Sequence, residues 1–314
     1  MSRYKIKPLF PGKLKTISLL ERPSKADISH FARVFQPGDE FNRFLDSLPR
    51  TLAGHDFKEF VNACKSSRKK KKPIIFASGA HLIKVGLNPV LIDLMKNDWI
   101  SCLALNGAGI IHDFEIALAG KTSEDVSLMI RDGRFGAVEE TGEMLNTAIQ
   151  EGFRQDIGLG EAVGQMMAEK NFPYKEHSLL FNAFCLNIPV TVHVAIGTDI
   201  IHFHSGVSGE ALGKTSLRDF FLFCSLVEKL EGGGIYLNIG SAVILPEIFL
   251  KAVSYIRNRG TKLENFVTAV FDFNLHYRPK ENVVKRPLRG KGKGYYFIGH
   301  HEIMIPLLAA ALQS

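Results

Sequence analysis

Three ionisable residues, His112, Asp113 and Glu115, follow closely on the small-residue run Asn106-Gly107-Ala108-Gly109. Ahead of that run, Ile100, Cys102, Leu103 and Leu105 make a strand-like apolar segment. A histidine titrates near neutral pH, and beside a carboxylate it can take up and return a proton during a reaction. Glycine at a strand's end lets a ligand approach the backbone, because no Cβ stands in the way. In an open α/β sheet that position, past the strand's carboxyl end, is where nucleotides bind. The competing reading is a plain tight turn whose acidic residues favour the start of the next helix.

The elements that must hold this turn read as alternating strands and helices. Strands are predicted at 74–77, 100–105, 190–195, 235–239 and 266–271. Helices are predicted at 82–96, restarting at Asn88-Pro89, then from about Asp113, through 123–170, and at 216–230, 246–258 and 302–312. This alternation predicts an α/β fold of Rossmann-like type, a mostly parallel sheet with helices on both faces. Residues 1–72 carry amphipathic stretches at 28–35, 41–48 and 57–64 and read as an N-terminal helical arm with a basic lead-in, ahead of a cofactor-binding domain over 73–314. Three strand exits share small residues: Ser78-Gly79, Asn106-Gly107 with Gly109 behind it, and Gly240-Ser241. Helix N-termini behind such turns offer backbone N–H groups and partial positive charge, so together the exits predict a nucleotide-type cofactor.

Composition sets the outer bounds. With 314 residues and 46% hydrophobic content, the chain can bury a large core. It has no apolar run of the ~18 residues that a membrane span needs. The basic opening Met1-Ser2-Arg3-Tyr4-Lys5 has no apolar stretch behind it, so no secretory signal is expected. Cys64, Cys102, Cys185 and Cys224 are widely spaced, the pattern of reduced thiols in a cytoplasmic protein rather than of staples or metal ligands. The formal charge of +7 is concentrated in Arg68-Lys69-Lys70-Lys71-Lys72 and in the 285–293 segment. Neither patch interleaves aromatics or carries a nucleic-acid motif, so a nucleic-acid partner is not expected.

The order of these motifs resembles the deoxyhypusine synthase family from about Lys72 to the C-terminus, roughly three quarters of the chain. Ile74-Ile75-Phe76 through Leu82 resembles the family's first strand and dinucleotide turn, and Asn106-Gly107-Ala108-Gly109 followed by Asp113 its Thr-Ala-Gly-Gly turn. Asn187-Ile188-Pro189-Val190 is similar to its His-Ile-Pro-Val entry into a strand, and Pro306-Leu307-Leu308 to its closing Phe-Pro-Leu-Leu helix. The most specific piece is Asp199-Ile200-Ile201-His202-Phe203-His204-Ser205, which looks like Gly-Asp-Met-Ile-Phe-Phe-His-Ser. The resemblance implies NAD as cofactor, with His300 in the last cofactor turn, and a homo-oligomer. It implies oxidation of a polyamine or related amine with aminoalkyl transfer through a lysine imine, Asp199 pairing with the substrate ammonium. A structural Asp capping the next element is the alternative for Asp199. His112 or His204 would serve as the base.

Departures are specific. The family's Arg-Pro-Asp-Glu-Ala-Val-Ser-Trp-Gly-Lys segment corresponds to Arg278 through Pro287, so its lysine falls on Pro287, with Lys285 two residues early and no tryptophan. Lys285 would serve as imine former only if burial lowered its pKa, helped by repulsion from Lys280, Arg286 and Arg289. The family's His-His is replaced by Pro246-Glu247, and its last cofactor turn by Gly299-His300-His301-Glu302. The run Gly109 through Gly120, with His112-Asp113-Phe114-Glu115, is similar to a His-Asp-Ile-Glu turn of archaeal-type NAD-dependent ornithine cyclodeaminases. That likeness implies an NAD-dependent cyclodeaminase acting on an amino acid such as ornithine. A nucleotide-binding regulator without turnover is the third reading.

Overall fold

The computed structural model describes residues 3–288 and 290–314; Met1, Ser2 and Arg289, which the sequence reading counted in its basic segments, lie outside the described residues. Six strands, β1 (Ile74–Ser78), β2 (Cys102–Asn106), β3 (Val190–His193), β4 (Ile235–Ile239), β5 (Phe266–Asp272) and β6 (Gly292–Ile298), form one sheet in the order β3-β2-β1-β4-β5-β6. Every neighbouring pair is parallel. The fold is α/β and Rossmann-like. The chain turns outward in one direction from β1 and in the other from β4, which makes the β1/β4 junction the topological switch point.

Helices α1 (Phe41–Ser47) and α2 (Leu52–Lys69) precede β1, and α3 (His81–Lys84) and α4 (Asn88–Lys96) link it to β2. Then come α5 (Gly107–Ala119), α6 (Val126–Met129), α7 (Glu139–Gln155), α8 (Leu159–Glu169) and α9 (Leu179–Cys185) before β3. The right half carries α10 (Gly209–Glu228), α11 (Ile244–Asn258), α12 (Tyr277–Pro279), which runs on as a π-helix over Lys280–Lys285, and α13 (His301–Gln313). The strand period of two divides the core into layers. Ile74 and Phe76 of β1 belong to the cluster with Phe60 of α2 and Leu308 of α13, whereas Ile75 and Ala77 belong to the cluster with Phe223 of α10 and Phe249 of α11. Both faces are therefore dry, the condition under which an all-parallel sheet is stable.

Three local expectations change. The 28–35 stretch forms only a single 3-10 turn, Ile28–His30, and none of its residues is buried. Among the described residues, Phe35 alone of its apolar side chains makes a ring contact, edge-on with Phe44 of α1, and so short an amphipathic stretch cannot support a helix by itself. Helix α5 begins at Gly107 rather than near Asp113, because Asn106 caps it by accepting the Gly109 N–H at 3.1 Å. Strand β6 was missed: Tyr295 and Phe297 alternate inward, but they follow a basic, glycine-rich lead-in that reads as loop.

β3 has a free edge, and α10 blocks it. Asp219 accepts N–H bonds from Val192 (2.8 Å) and from Gly160 in the first turn of α8 (2.9 Å), while Ser216 donates to the Val192 carbonyl (2.8 Å). Filling an edge strand's hydrogen bonds with side chains prevents pairing with another chain. Burial holds the Asp219 carboxyl up at about 7, with the two backbone donors opposing the shift. In the unfolded chain this carboxyl titrates near its ordinary value, so stability from the retained proton is full at low pH and is lost as pH rises through about 7. Asp219→Ala is expected to cost about 2–4 kcal/mol in urea unfolding, since it leaves two buried N–H groups unpaired. Asp219→Asn should make the fall in stability between pH 4 and 7 shallower than in the wild type, the buried Asp199, Asp113 and Glu115 keeping the remainder; an unchanged slope would refute the assignment.

Candidate active site

The start of α5 places its polar residues on opposite sides. Successive residues of a helix point about 100° apart, whereas positions three apart share a face. Asp113 faces the core. Its carboxylate accepts from Ser178 Oγ (2.5 Å), the N–H groups of Leu179 (2.8 Å) and Leu180 (3.0 Å), and Asn88 Nδ2 (3.0 Å). It thus caps α9 and ties α4 to α5, and burial still pushes its pKa upward against those four donors. His112 and Glu115 face the other way, so His112 and Asp113 do not form a pair.

His112 and Glu115 line a cleft of about 200 Å³ together with Lys84, Ile111, Glu124, Val126, Phe135, Asp199 and Ile200. His112 Nδ1 lies 2.6 Å from Thr122 Oγ1, and the Thr122 hydroxyl donates to Glu115 Oε2 in a short hydrogen bond. The Thr141 hydroxyl donates to Glu115 Oε1 at 3.3 Å. His112 Nδ1 is 3.8 Å from Glu115 Oε2, yet the two are no ion pair: burial, helped by the charge of Lys84, lowers the imidazole to about 4. Burial raises the Glu115 carboxyl, opposed by its two threonine donors.

Asp199 forms the opposite wall. The segment that carries it is seated on three glycines, each where a Cβ would collide. A Cβ on Gly107 would lie 1.9 Å from Asp199 Oδ2, one on Gly136 2.5 Å from Ile200, and one on Gly142 2.0 Å from the His204 ring. Asn146 Nδ2 donates to the Ile201 carbonyl at 3.0 Å and fixes the segment from α7. Asp199 is 9% exposed, and its Oδ2 has no hydrogen-bond partner. Its nearest basic group is His202 Nε2 at 3.8 Å. His202 Nδ1 accepts the N–H groups of Gly197 and Asp199, and burial lowers the ring's pKa, so it is a neutral neighbour. Burial without a counter-ion raises the Asp199 carboxyl to about 6.

The other expected residues are scattered. His204 donates from Nε2 to the Gly136 carbonyl (2.9 Å) and stacks on Phe203, tying the 199–205 segment to the loop before α7. Lys285 is half exposed on the π-helix between β5 and β6 and pairs with Glu281 at 2.8 Å, away from the cleft's lining residues. At the strand exits the chain itself closes on the glycines: a Cβ on Gly79 would lie 2.4 Å from the Gly240 carbonyl oxygen and one on Gly240 2.8 Å from the His301 ring at the switch point, and one on Gly109, past β2, 3.1 Å from Leu105 Cβ. The Gly79 and Gly240 N–H groups donate to the Ile239 and Phe271 carbonyls, Ser78 Oγ donates to the Gly79 carbonyl, and Ser241 Oγ accepts from Leu245 N–H. His300 is an exposed N-cap residue of α13, whereas His301 behind it is buried.

Among the described residues, four buried polar atoms without partners lie at the sheet's carboxyl edge, while Asn88 Oδ1 on α4, Asp219 Oδ1 on α10 and Tyr236 Oη within β4 lie apart from it. Asn238 Oδ1 and His301 Nδ1 flank the β4 exit, and Asp199 Oδ2 and His202 Nε2 flank the β2 exit. Native proteins leave such atoms without partners chiefly where a ligand or water satisfies them. Glu115 stood in the ionisable cluster read from sequence but was given no role, and Thr122, Lys84, Glu124, His202, Asn238 and His301 were not singled out as site residues. The i,i+3 spacing of His112 and Glu115 was the available signal, concealed by starting α5 too late.

No protein-family model matches the chain. It is 24% identical over 246 residues to a probable deoxyhypusine synthase 2 of Methanosarcina acetivorans, covering 68% of this chain and 67% of that protein. Its fold is similar to that of a putative deoxyhypusine synthase from Entamoeba histolytica (TM-score 0.53, 11% identity, 89% and 95% of the two chains). It is also similar to AgrE, solved in ternary complex with ornithine and NAD+ (TM-score 0.51, 14% identity, 82% of this chain). This chain spans about a third of the AgrE chain, 32% of its length. Among the described residues no helix is long and apolar enough to cross a membrane.

Gly107 gives a test of the site's geometry. Gly107→Ala should push the Asp199 carboxylate out of its seat into water, lowering its pKa from about 6 toward the ordinary carboxylate range while leaving the melting temperature within a few degrees. An Asp199 that titrates in the variant as it does in the wild type, followed by carbon-13 NMR, would show that the contact is incidental.

Proposed function

We propose that the cleft binds a cationic amine and that the chain oxidises it with NAD in the deaminating manner, without transfer of an aminoalkyl group to Lys285. The observation that carries this reading is Asp199 Oδ2, a buried carboxylate oxygen with no hydrogen-bond partner, in a cleft lined by Glu115 and Glu124 as well and, among the described residues, by a single lysine, Lys84. A buried carboxylate in this state gains most from a bound ammonium. The likeness to a third of AgrE, a protein solved with ornithine and NAD+, supports an amine of the amino-acid type.

A nicotinamide dinucleotide along the β1/β4 switch point would accept hydride from the amine-bearing carbon. Asn238 and His301, each with a buried atom lacking a partner there, are the residues that would hold it. The chain's own residues have distinct tasks. Asp199 orients the ammonium, and Ile111, Val126, Phe135 and Ile200 keep water from the reacting carbon. His112 is neutral above about pH 4 and takes the ammonium proton, so that the free amine's lone pair can assist loss of hydride.

The aminoalkyl-transfer reading keeps one foothold: Lys84 is the lysine among the residues lining the cleft. Borohydride trapping with substrate and NAD separates the two. The deaminating reading expects no adduct, and an adduct mapped to Lys84 would restore the transfer reading.

Asp199→Asn should raise KM for the amine by about tenfold to a hundredfold through loss of one charge-assisted contact of roughly 1.5–3 kcal/mol. Because the free carboxyl titrates at about 6, wild-type kcat/KM should rise with pH through that value, and the Asn variant should lack this limb. His112→Ala should lower kcat by about 10²–10⁴-fold with little change in KM. Steady-state kinetics over pH 5 to 8 read all three; a pH profile shared by wild type and Asp199→Asn would remove Asp199 from the site.

A further inference from the structure

We infer that Glu115 and Thr122 are positioning residues that hold His112 as its Nδ1–H tautomer, leaving Nε2 unprotonated and open to the cleft. The inference rests on the reading of His112 as base and adds two residues of this chain to it. The donors decide the direction. Glu115, held by the hydroxyls of Thr122 and Thr141, is an acceptor when ionised. Thr122 has one hydroxyl proton, and it is committed to Glu115 Oε2. The Thr122 oxygen can then only accept from His112 Nδ1, 2.6 Å away, which requires the ring proton on Nδ1.

Nε2 has no protein partner among the described residues, and the ring borders the cleft that contains Asp199. When Nε2 takes a proton from the substrate ammonium, positive charge forms on the ring and the Thr122 hydroxyl, polarised by Glu115, stabilises it through Nδ1–H. The proton moves from substrate nitrogen to Nε2, and the Nδ1 proton stays in place throughout.

Nitrogen-15 NMR of the imidazole in the whole protein, without substrate, tests the tautomer directly. The expected spectrum at pH 7 has Nδ1 protonated and Nε2 bare in His112. Thr122→Val, close in volume and unable to bridge, should shift the ring toward the Nε2–H form, and Thr122→Ser should restore the wild-type pattern. With NAD and a turned-over amine, Thr122→Val should lower kcat about 10–100-fold at constant KM, with rescue in Thr122→Ser. An Nε2–H tautomer in the wild type, or equal kcat loss in the Val and Ser variants, overturns the inference. Absence of turnover on any amine instead counts against the proposed reaction, and the NMR result still decides the tautomer.

Discussion

The buried carboxylate of Asp113 sets the rotation of α5, and the site follows from that rotation. Four donors from α9, its N-cap and α4 converge on it, so α5 cannot turn without leaving those donors and the carboxylate unpaired in the core. With Asp113 fixed inward, the helical period sends His112 and Glu115 outward together onto the cleft. The capping bond from Asn106 fixes the same helix lengthwise against the end of β2. A buried structural residue thereby orients the side chains of the candidate site through the helix backbone alone.

The opposite wall depends on close approach. The 199–205 segment has little regular structure, yet it is held by glycines at 107, 136 and 142 and by Asn146. That packing brings a carboxylate to the amino end of α5 and removes water from it, so the charge is unscreened and its proton affinity rises. Asp219 follows the same physics with another result. There one carboxylate oxygen takes two backbone N–H donors and closes the edge of β3, while the other, Oδ1, is buried without a partner as Asp199 Oδ2 is. Neither burial nor an unpartnered oxygen marks a functional acid by itself; Asp199 differs in sharing its cleft with His112 and Glu115.

Much of the fold was legible because five of the strands are mostly apolar runs, as strands buried on both faces must be, and three of them end in small residues. β6 was not, since a sheet-edge strand with a basic, glycine-rich entry lacks that signature. The site was legible in part. His112, Asp199 and the glycines near them stood out, but their geometry depends on tertiary facts: the first residue of α5, the direction in which Asp113 points, and the return of residue 199 to Gly107. Small residues at the strand exits suggested room for a ligand, and directly above three of these glycines stand the chain's own Asp199, His301 and Gly240 carbonyl. Composition cannot distinguish room left for a ligand from room taken by a neighbour.

The central claim is that Asp199 and His112 act on one bound amine in front of a nicotinamide cofactor. A single-turnover experiment tests it most directly: protein in excess over NAD is mixed with ornithine or a diamine at pH 5 and pH 8, and reduced nicotinamide is followed by absorbance. The account predicts reduction by the wild type that is faster at pH 8, slow reduction by His112→Ala even at saturating amine, and normal reduction by Asp199→Asn only at much higher amine concentration. Wild-type protein that binds no NAD, or reduction that proceeds equally well without His112 and Asp199, would contradict it.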